Sequence, residues 1–150
     1  MTDYIQWTPD MSVGVPVLDK DHQQLVGLLN EFIKAVDDGE GVLAVDSIFS
    51  GLMTYTETHF VREEKVMEAC GYADLEAHRE QHKKLAERVC ECREAYMRTI
   101  TESLEGEVRD FLMSWLQDHI LVDDMDYKAL AEENPKAVDE ALGQQAYAIN

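Results

Sequence analysis

The chain has 150 residues, the usual size of one domain, and 45% of them are hydrophobic, which is enough to form a folded core. Its formal net charge of −18 argues against nucleic acid or an anionic membrane surface as a binding partner. No apolar run reaches the roughly 18 residues that a membrane-spanning helix needs. The start, MTDYIQWTPD, has no apolar signal segment, and the three cysteines have no CxxC spacing. Free thiols and a cytoplasmic location are therefore expected.

Four stretches with helical periodicity follow one another along the chain, and short turn-rich breaks separate them. Asp19 is the expected N-cap of the first stretch, and Gly71 is the expected end of the second. No strand-like alternation of any length is present. The predicted helices cover about residues 19–37, 42–69, 75–98 and 102–130.

Four amphipathic helices with short connections predict an all-α fold, an up-down-up-down four-helix bundle. The whole chain, residues 1–150, is expected to form one domain, with the bundle at about 19–130. A non-helical arm is expected at 1–18, and Trp7 is expected to pack it onto the bundle. The tail, from about residue 131 to 150, is expected to hold one short helix after Pro135.

Every histidine of the chain falls on the apolar stripe of its predicted helix. One such histidine is usually a core residue bonded to a carbonyl group. Burying a polar group without compensation costs about 1–3 kcal/mol, so five buried histidines together indicate a shared ligand. Their spacing agrees, because an HxxxH pair on the third helix faces an HxxxE pair on the second. The histidines are His22, His59, His78, His82 and His119, and the glutamate is Glu63.

Five imidazoles and two or more carboxylates are too many ligands for one tetrahedral zinc ion, whereas imidazole together with carboxylate suits iron. Two octahedral irons with two bridging carboxylates and one bridging oxide or hydroxide leave one of about twelve positions open. A small ligand such as O₂ fits that position. For the carboxylate that follows His119, an ideal helix favours Asp123, about 40° around the axis, over Asp124, about 140° around.

At this point the chain resembles the hemerythrin family, most closely its single-domain bacterial members. The resemblance spans about residues 7–130, and it is carried by VGVPVLDKDHQQLVGLLN, HFVREEKVMEACGY, HREQH and WLQDHILVDDMDY. It implies a non-haem di-iron site in a four-helix bundle that binds O₂ reversibly.

The resemblance also assigns roles to individual residues. The three histidines His78, His82 and His119 match the ligands of one iron, and His22 and His59 match those of the other, which keeps the open position. Glu63 and Asp124 match the two carboxylates that bridge the irons together with an oxide or hydroxide. The residues implied to line the O₂ pocket, which ordinary core packing explains equally well, are Phe60, Trp115, Leu116 and Ile120.

Asp124 lies five residues after His119, so its assignment predicts a π-bulge or a widened turn after this histidine. An undistorted helix with Asp123 in the site would refute that assignment. The other acidic residues are expected to have ordinary roles. Glu64 and Glu68 are expected on a solvated face, and Asp21 in a first turn where the helix dipole favours an acid.

The resemblance thus implies an O₂-binding protein for storage, delivery or sensing, and not an enzyme. One alternative is a di-iron oxidoreductase of the peroxidase or nitric oxide reductase type. Another is a signalling module that passes oxygen or redox state to a partner. Ferritin-like oxidases use carboxylate-rich sites with Glu-x-x-His motifs. The histidine-rich set of this chain therefore favours binding over oxidation.

Overall fold

The computed structural model describes residues 4–99 and 101–143, without the side chains of residues 42 and 43. Every regular element in these ranges is helical, and none is a strand. A 3₁₀ turn at Pro9–Met11 comes first, and a π-helical stretch, Trp115–Asp123, followed by a 3₁₀ turn, Asp124–Tyr127, separates α4 from α5. The α-helices are Pro16–Asp37 (α1), Gly41–Ala69 (α2), Leu75–Arg98 (α3), Glu102–Ser114 (α4), Lys128–Glu133 (α5) and Pro135–Ala141 (α6).

Helix α1 begins at Pro16, three residues before the predicted N-cap. Proline suits the first helical position, because its fixed φ matches a helix and its missing N–H would have no partner there. Asp19 therefore lies inside the first turn, where its carboxylate accepts hydrogen bonds from Ser12 Oγ (2.5 Å) and from the Val13 amide (2.8 Å). The prediction of Asp19 as N-cap was wrong, and this side chain instead ties the preceding segment to α1.

The segment before α1 is attached to the bundle at a second place. The side-chain amide of Asn30 donates to the Ile5 carbonyl (2.8 Å), and its oxygen accepts from the Ile5 amide (2.9 Å). The indole of Trp7 is partly buried against the apolar core, as predicted. These contacts give the segment a defined path along α1.

Helix α2 ends where the sequence predicts. Gly71 adopts a φ of +70°, a left-handed conformation that favours glycine. Its amide donates to the Glu68 carbonyl (3.1 Å), and the Tyr72 amide donates to the Met67 carbonyl (3.0 Å), which satisfies the last turn. The connection to α3 is consequently short, and it brings the start of α3 beside the end of α2.

The helices enclose two apolar clusters with a polar layer between them. On α1, His22 lies between Leu18 of the smaller cluster and Leu25 of the larger one. Further along the chain, Glu63 and Asp124 likewise lie between a residue of the larger cluster and a residue of the smaller one. The larger cluster includes Leu25, Leu29, Phe32, Phe49, Leu52, Phe60, Val89, Trp115, Leu116 and Ile120, and the smaller one consists of Val13, Val15, Leu18, Val66, Met67, Tyr127, Ala131 and Val138.

The tail contains the short helix expected after Pro135. This helix, α6, contacts α2 and buries Val138 in the smaller cluster. Residues 144–150 of the predicted tail lie outside the described residues. The three cysteines are free thiols, whereas the cytoplasmic location stays a prediction. In the described ranges, no helix combines the length and the apolar character needed to cross a membrane.

Candidate metal centre

The polar layer is a single cluster of seven side chains. Each of them is at most 4% exposed. Their ligand atoms form two groups, and the atoms of each group lie within 4.8 Å of one another. The first group consists of Glu63, His78, His82, His119 and Asp124, and the second of His22, His59, Glu63 and Asp124.

The helices explain how these residues meet. Residues four apart share one face of an α-helix, so α2 presents His59 with Glu63, and α3 presents His78 with His82. Helix α1 supplies His22. The last two members come from the chain after α4, where the backbone departs from the α-helix.

The π-helical stretch decides which aspartate joins the cluster. The Asp124 amide donates to the His119 carbonyl, five residues back, which is the widened turn that the spacing predicts. The π-helix begins at Trp115, however, and so before His119 and not after it. Asp124 is fully buried, whereas the Asp123 side chain is 34% exposed and its carboxylate lies 3.7 Å from His119 Nδ1.

Glu63 divides its two oxygens between the two groups of histidines. Its Oε1 lies 3.0 Å from His78 Nε2 and 2.9 Å from His82 Nε2. Its Oε2 lies 3.1 Å from His59 Nε2 and 3.3 Å from His22 Nε2. One carboxylate therefore spans the distance between a three-histidine group and a two-histidine group.

Asp124, which directly follows the π-helical stretch, repeats this arrangement. Its Oδ1 lies 2.9 Å from His78 Nε2 and 3.1 Å from His119 Nε2, and its Oδ2 lies 3.2 Å from His22 Nε2. Despite these distances, neither oxygen makes a hydrogen bond within the described part of the chain. A fully buried carboxylate needs a compensating positive charge, which either protonated imidazoles or a bound cation can supply.

Known proteins match this chain over most of its length. The family model described as Hemerythrin HHE cation binding domain matches residues 13–131.

The chain belongs to the hemerythrin family.

Two similar proteins are bacteriohemerythrins of Stenotrophomonas maltophilia (strain R551-3) and Pseudomonas aeruginosa (strain LESB58), each 32% identical to this chain. The first match covers 81% of this chain and 77% of the relative, and the second covers 83% and 79%. A bacteriohemerythrin of Ralstonia nicotianae is 29% identical over 91% of this chain and 96% of its own length.

Within the cluster of this hemerythrin-family chain, the carboxylates and the histidines shift each other's pKa values. Burial lowers the pKa of His22, but the adjacent carboxylates of Asp124 and Glu63 outweigh burial and raise it to about 10. The same carboxylates overcome burial at His78 and raise its pKa to about 10. Burial raises the pKa of Glu63, yet His59 and the other histidines hold it well below its usual 4.5. Without a cation, the cluster therefore retains protons that a metal must displace.

Two acidic residues contact the Nδ1 atoms of histidines in the cluster, and neither role is predicted from the sequence. Asp21 lies 2.9 Å from His59 Nδ1 and accepts two bonds from Arg62 Nη1, of 2.6 and 2.8 Å. Glu64 lies 2.9 Å from His82 Nδ1. The expectation of a solvated Glu64 was therefore wrong, because α3 packs over this part of α2 and shields the side chain. Such partners fix the tautomer and the orientation of a ligating imidazole.

The four residues implied to line a ligand pocket are buried beside the cluster, with exposures of 6% or less. Phe60 stacks on His82 with ring centroids 3.9 Å apart, and its ring also lies 5.8 Å from that of Trp115. Two tyrosines outside the predicted site contact the cluster as well. The Tyr127 hydroxyl donates to Glu63 Oε2 (3.1 Å), and the Tyr55 ring stacks on His59.

Proposed function

We propose that this hemerythrin-family chain binds O₂ reversibly at a non-haem di-iron centre, for storage, delivery or sensing. One observation carries the proposal: Glu63 and Asp124 each direct one oxygen toward one group of histidines and the other oxygen toward the second. Two buried carboxylates placed in this way fit two adjacent cations and exceed the ligand needs of one.

In this proposal His78, His82 and His119 hold one iron, and His22 and His59 hold the other. Glu63 and Asp124, together with an oxide or hydroxide, would bridge the pair. The second iron receives one imidazole fewer than the first, so the open position is assigned to its side. When bound, the two irons supply and recover the electrons that O₂ takes up and returns.

The protein's own part is to hold and shield this pocket. Asp21 and Glu64 orient His59 and His82 through their Nδ1 atoms. The hydroxyl of Tyr127 holds one oxygen of Glu63. The side chains of Phe60, Trp115, Leu116 and Ile120 are assigned to the pocket wall, where they keep out water that would compete for the open position.

The proposed architecture is an up-down-up-down four-helix bundle in one domain, preceded by a short arm at residues 4–15. Its four members are α1, α2, α3 and the helical run from α4 to α5. Contacts of α1 with α2, of α2 with α3, of α3 with α4 and of α4 with α1 support a closed ring of four neighbours. Short connections between successive helices favour antiparallel neighbours.

The experiment that tests the proposed function starts from protein loaded anaerobically with ferrous iron. We expect two irons per chain and, on addition of O₂, a visible absorption band that disappears when O₂ is removed under argon and returns on re-exposure. Protein loaded with zinc is the control and should show no band. One zinc per chain as the native metal would contradict the di-iron centre. Rapid irreversible oxidation with continued turnover of a reductant would favour an oxidoreductase.

A further inference from the structure

Tyr55 is a buried polar residue that neither the family resemblance nor the proposed ligand set uses. It lies on α2, one turn before His59, and it is 5% exposed. Its ring stacks on the His59 ring with centroids 4.7 Å apart and planes 24° apart. It also meets the edges of Trp115 at 5.6 Å and Phe60 at 6.2 Å. Tyr55 therefore belongs to the aromatic layer against the two-histidine group.

The hydroxyl of Tyr55 has no solvent contact and makes no hydrogen bond to any described residue. The residue also lines a groove between α1 and α2 of about 600 Å³, next to Gly27 and Gly51. The side chain therefore borders this groove, while its hydroxyl is closed off from solvent.

A second donor in the same layer is also without a partner, since the Trp115 indole N–H is buried and unbonded within the described ranges. A buried donor that lacks its hydrogen bond costs about 1–3 kcal/mol. Two such donors side by side in an apolar layer are unusual, because most buried polar groups are bonded. The Tyr96 hydroxyl is also buried and unbonded among the described residues, but its ring packs on Phe49 and not on a histidine. The position of Tyr55 against His59, together with its missing partner, therefore points to an acceptor on this side of the cluster.

We propose that Tyr55 is a specificity-determining residue of the ligand pocket, and that its hydroxyl donates a hydrogen bond to the small ligand held on the His22–His59 side. This inference rests on the proposed function, which assigns the open position to that side. The hydroxyl favours ligands that carry negative charge when bound, such as reduced dioxygen or a small inorganic anion. Such ligands accept stronger hydrogen bonds than neutral apolar ones.

The test compares Tyr55→Phe with Tyr96→Phe in iron-loaded protein. Both changes remove one buried hydroxyl and keep the ring. Tyr96 is 2% exposed, and it packs on Phe49 at 6.0 Å and not on a histidine. The probe is azide added to the diferric protein, with its dissociation constant measured by visible absorption. We expect Tyr55→Phe to weaken azide binding about tenfold, mainly through faster dissociation, and Tyr96→Phe to leave it unchanged.

A vibrational measurement separates a direct hydrogen bond from a packing effect. The stretching frequency of bound azide should shift in D₂O in the parent protein and in Tyr96→Phe, and this shift should be lost in Tyr55→Phe. An unchanged azide affinity, equal weakening in both variants, or a retained shift in Tyr55→Phe would overturn the role of Tyr55. Iron content distinguishes failure of the proposed function from failure of the role assigned to Tyr55. If the parent protein does not hold two irons, the proposed function fails, whereas a fully loaded Tyr55→Phe with normal azide binding refutes only this inference.

Discussion

Asp123 and Asp124 are chemically identical neighbours with opposite environments. The backbone turns Asp124 into the cluster, where it is fully buried, and leaves Asp123 partly exposed beside His119 Nδ1. An asparagine at either position keeps the size of the side chain and removes its charge. The two positions therefore form a matched pair for a test of the bridging assignment.

We predict that Asp124→Asn lowers iron binding far more than Asp123→Asn does. Loss of a bridging carboxylate leaves both metal positions short of a ligand, so iron content should fall below one iron per chain. Asp123→Asn removes only a 3.7 Å contact behind His119, so affinity should fall by about tenfold or less. Metal analysis after equilibrium dialysis measures both. Equal losses in the two variants would refute the assignment of Asp124.

Glu64 and Glu68 form a second matched pair, since both are predicted from the sequence to lie on a solvated face. Glu64 contacts His82 Nδ1, whereas the Glu68 side chain is 70% exposed and its carboxylate lies 3.6 Å from Arg79 Nη2. We predict that Glu64→Gln weakens iron binding about 10–100-fold, because the imidazole loses the charged partner that orients it. Glu68→Gln should change it by less than about twofold, since exposed ion pairs contribute little. Competition with a chelator of known affinity gives both values.

Among the helices, the features that could be predicted from the sequence are those that local sequence patterns determine. The end of α2 at Gly71 and the histidine-bearing faces follow from glycine conformation and helical periodicity. The contacts behind the histidines do not, because Asp21 and Glu64 meet their partners across helices, and periodicity on one helix carries no information about the other. The early start of α1 had a local signal in Pro16, which the N-cap assignment of Asp19 overlooked.

The π-helical stretch makes a prediction of its own. The hydrogen bond from the Asp124 amide to the His119 carbonyl spans five residues, one more than in an α-helix. Deleting Val122, which is 58% exposed, restores four-residue spacing and still leaves the carboxylate about 40° from His119. We expect the deletion variant to fold and to bind iron within about tenfold of the parent, a difference of ~1.4 kcal/mol or less.

A deletion in a regular α-helix is the control for this experiment. Lys84 is also exposed, but it lies in α3. Its removal turns His78 and His82 by about 100° relative to the rest of that helix. This control should lose iron and much of its thermal stability. If deletion of Val122 abolishes iron binding while circular dichroism stays unchanged, the extra residue does more than set the register of Asp124.

In the whole molecule, a polar layer lies between two apolar clusters, and the stability of this layer depends on its charge balance. Two buried carboxylates and five histidines are compatible with a folded core only if protons or cations compensate the negative charge. The chain as a whole carries a formal net charge of −18, so compensation from elsewhere in the molecule is limited. Occupancy of this layer should therefore control global stability, since a cation that binds only the folded state stabilises it.

The final prediction concerns the pH dependence of stability in the metal-free protein. The pKa values of His22 and His78 are raised from 6.5 to about 10 in the folded state. Their contribution to the free energy of unfolding is therefore fully present below about pH 6.5 and is lost as the pH rises through about 10. The pKa of Glu63 is lowered well below 4.5, so its contribution is present above pH 4.5 and is lost as the pH falls through its folded value.

Urea unfolding of metal-free protein should therefore show a free energy of unfolding that declines as the pH rises from about 6.5 toward 9.5. Repulsion within the acidic chain also grows with pH, so the double variant His22→Gln/His78→Gln serves as the control. The decline should be shallower in that variant, because it lacks the two raised pKa values. In iron-loaded protein the free energy of unfolding should instead fall toward acidic pH. Bound metal displaces the protons of the histidines, and at low pH protons compete with the metal for the same ligands. A parent and a double variant with the same slope would assign the decline to overall charge and not to the cluster.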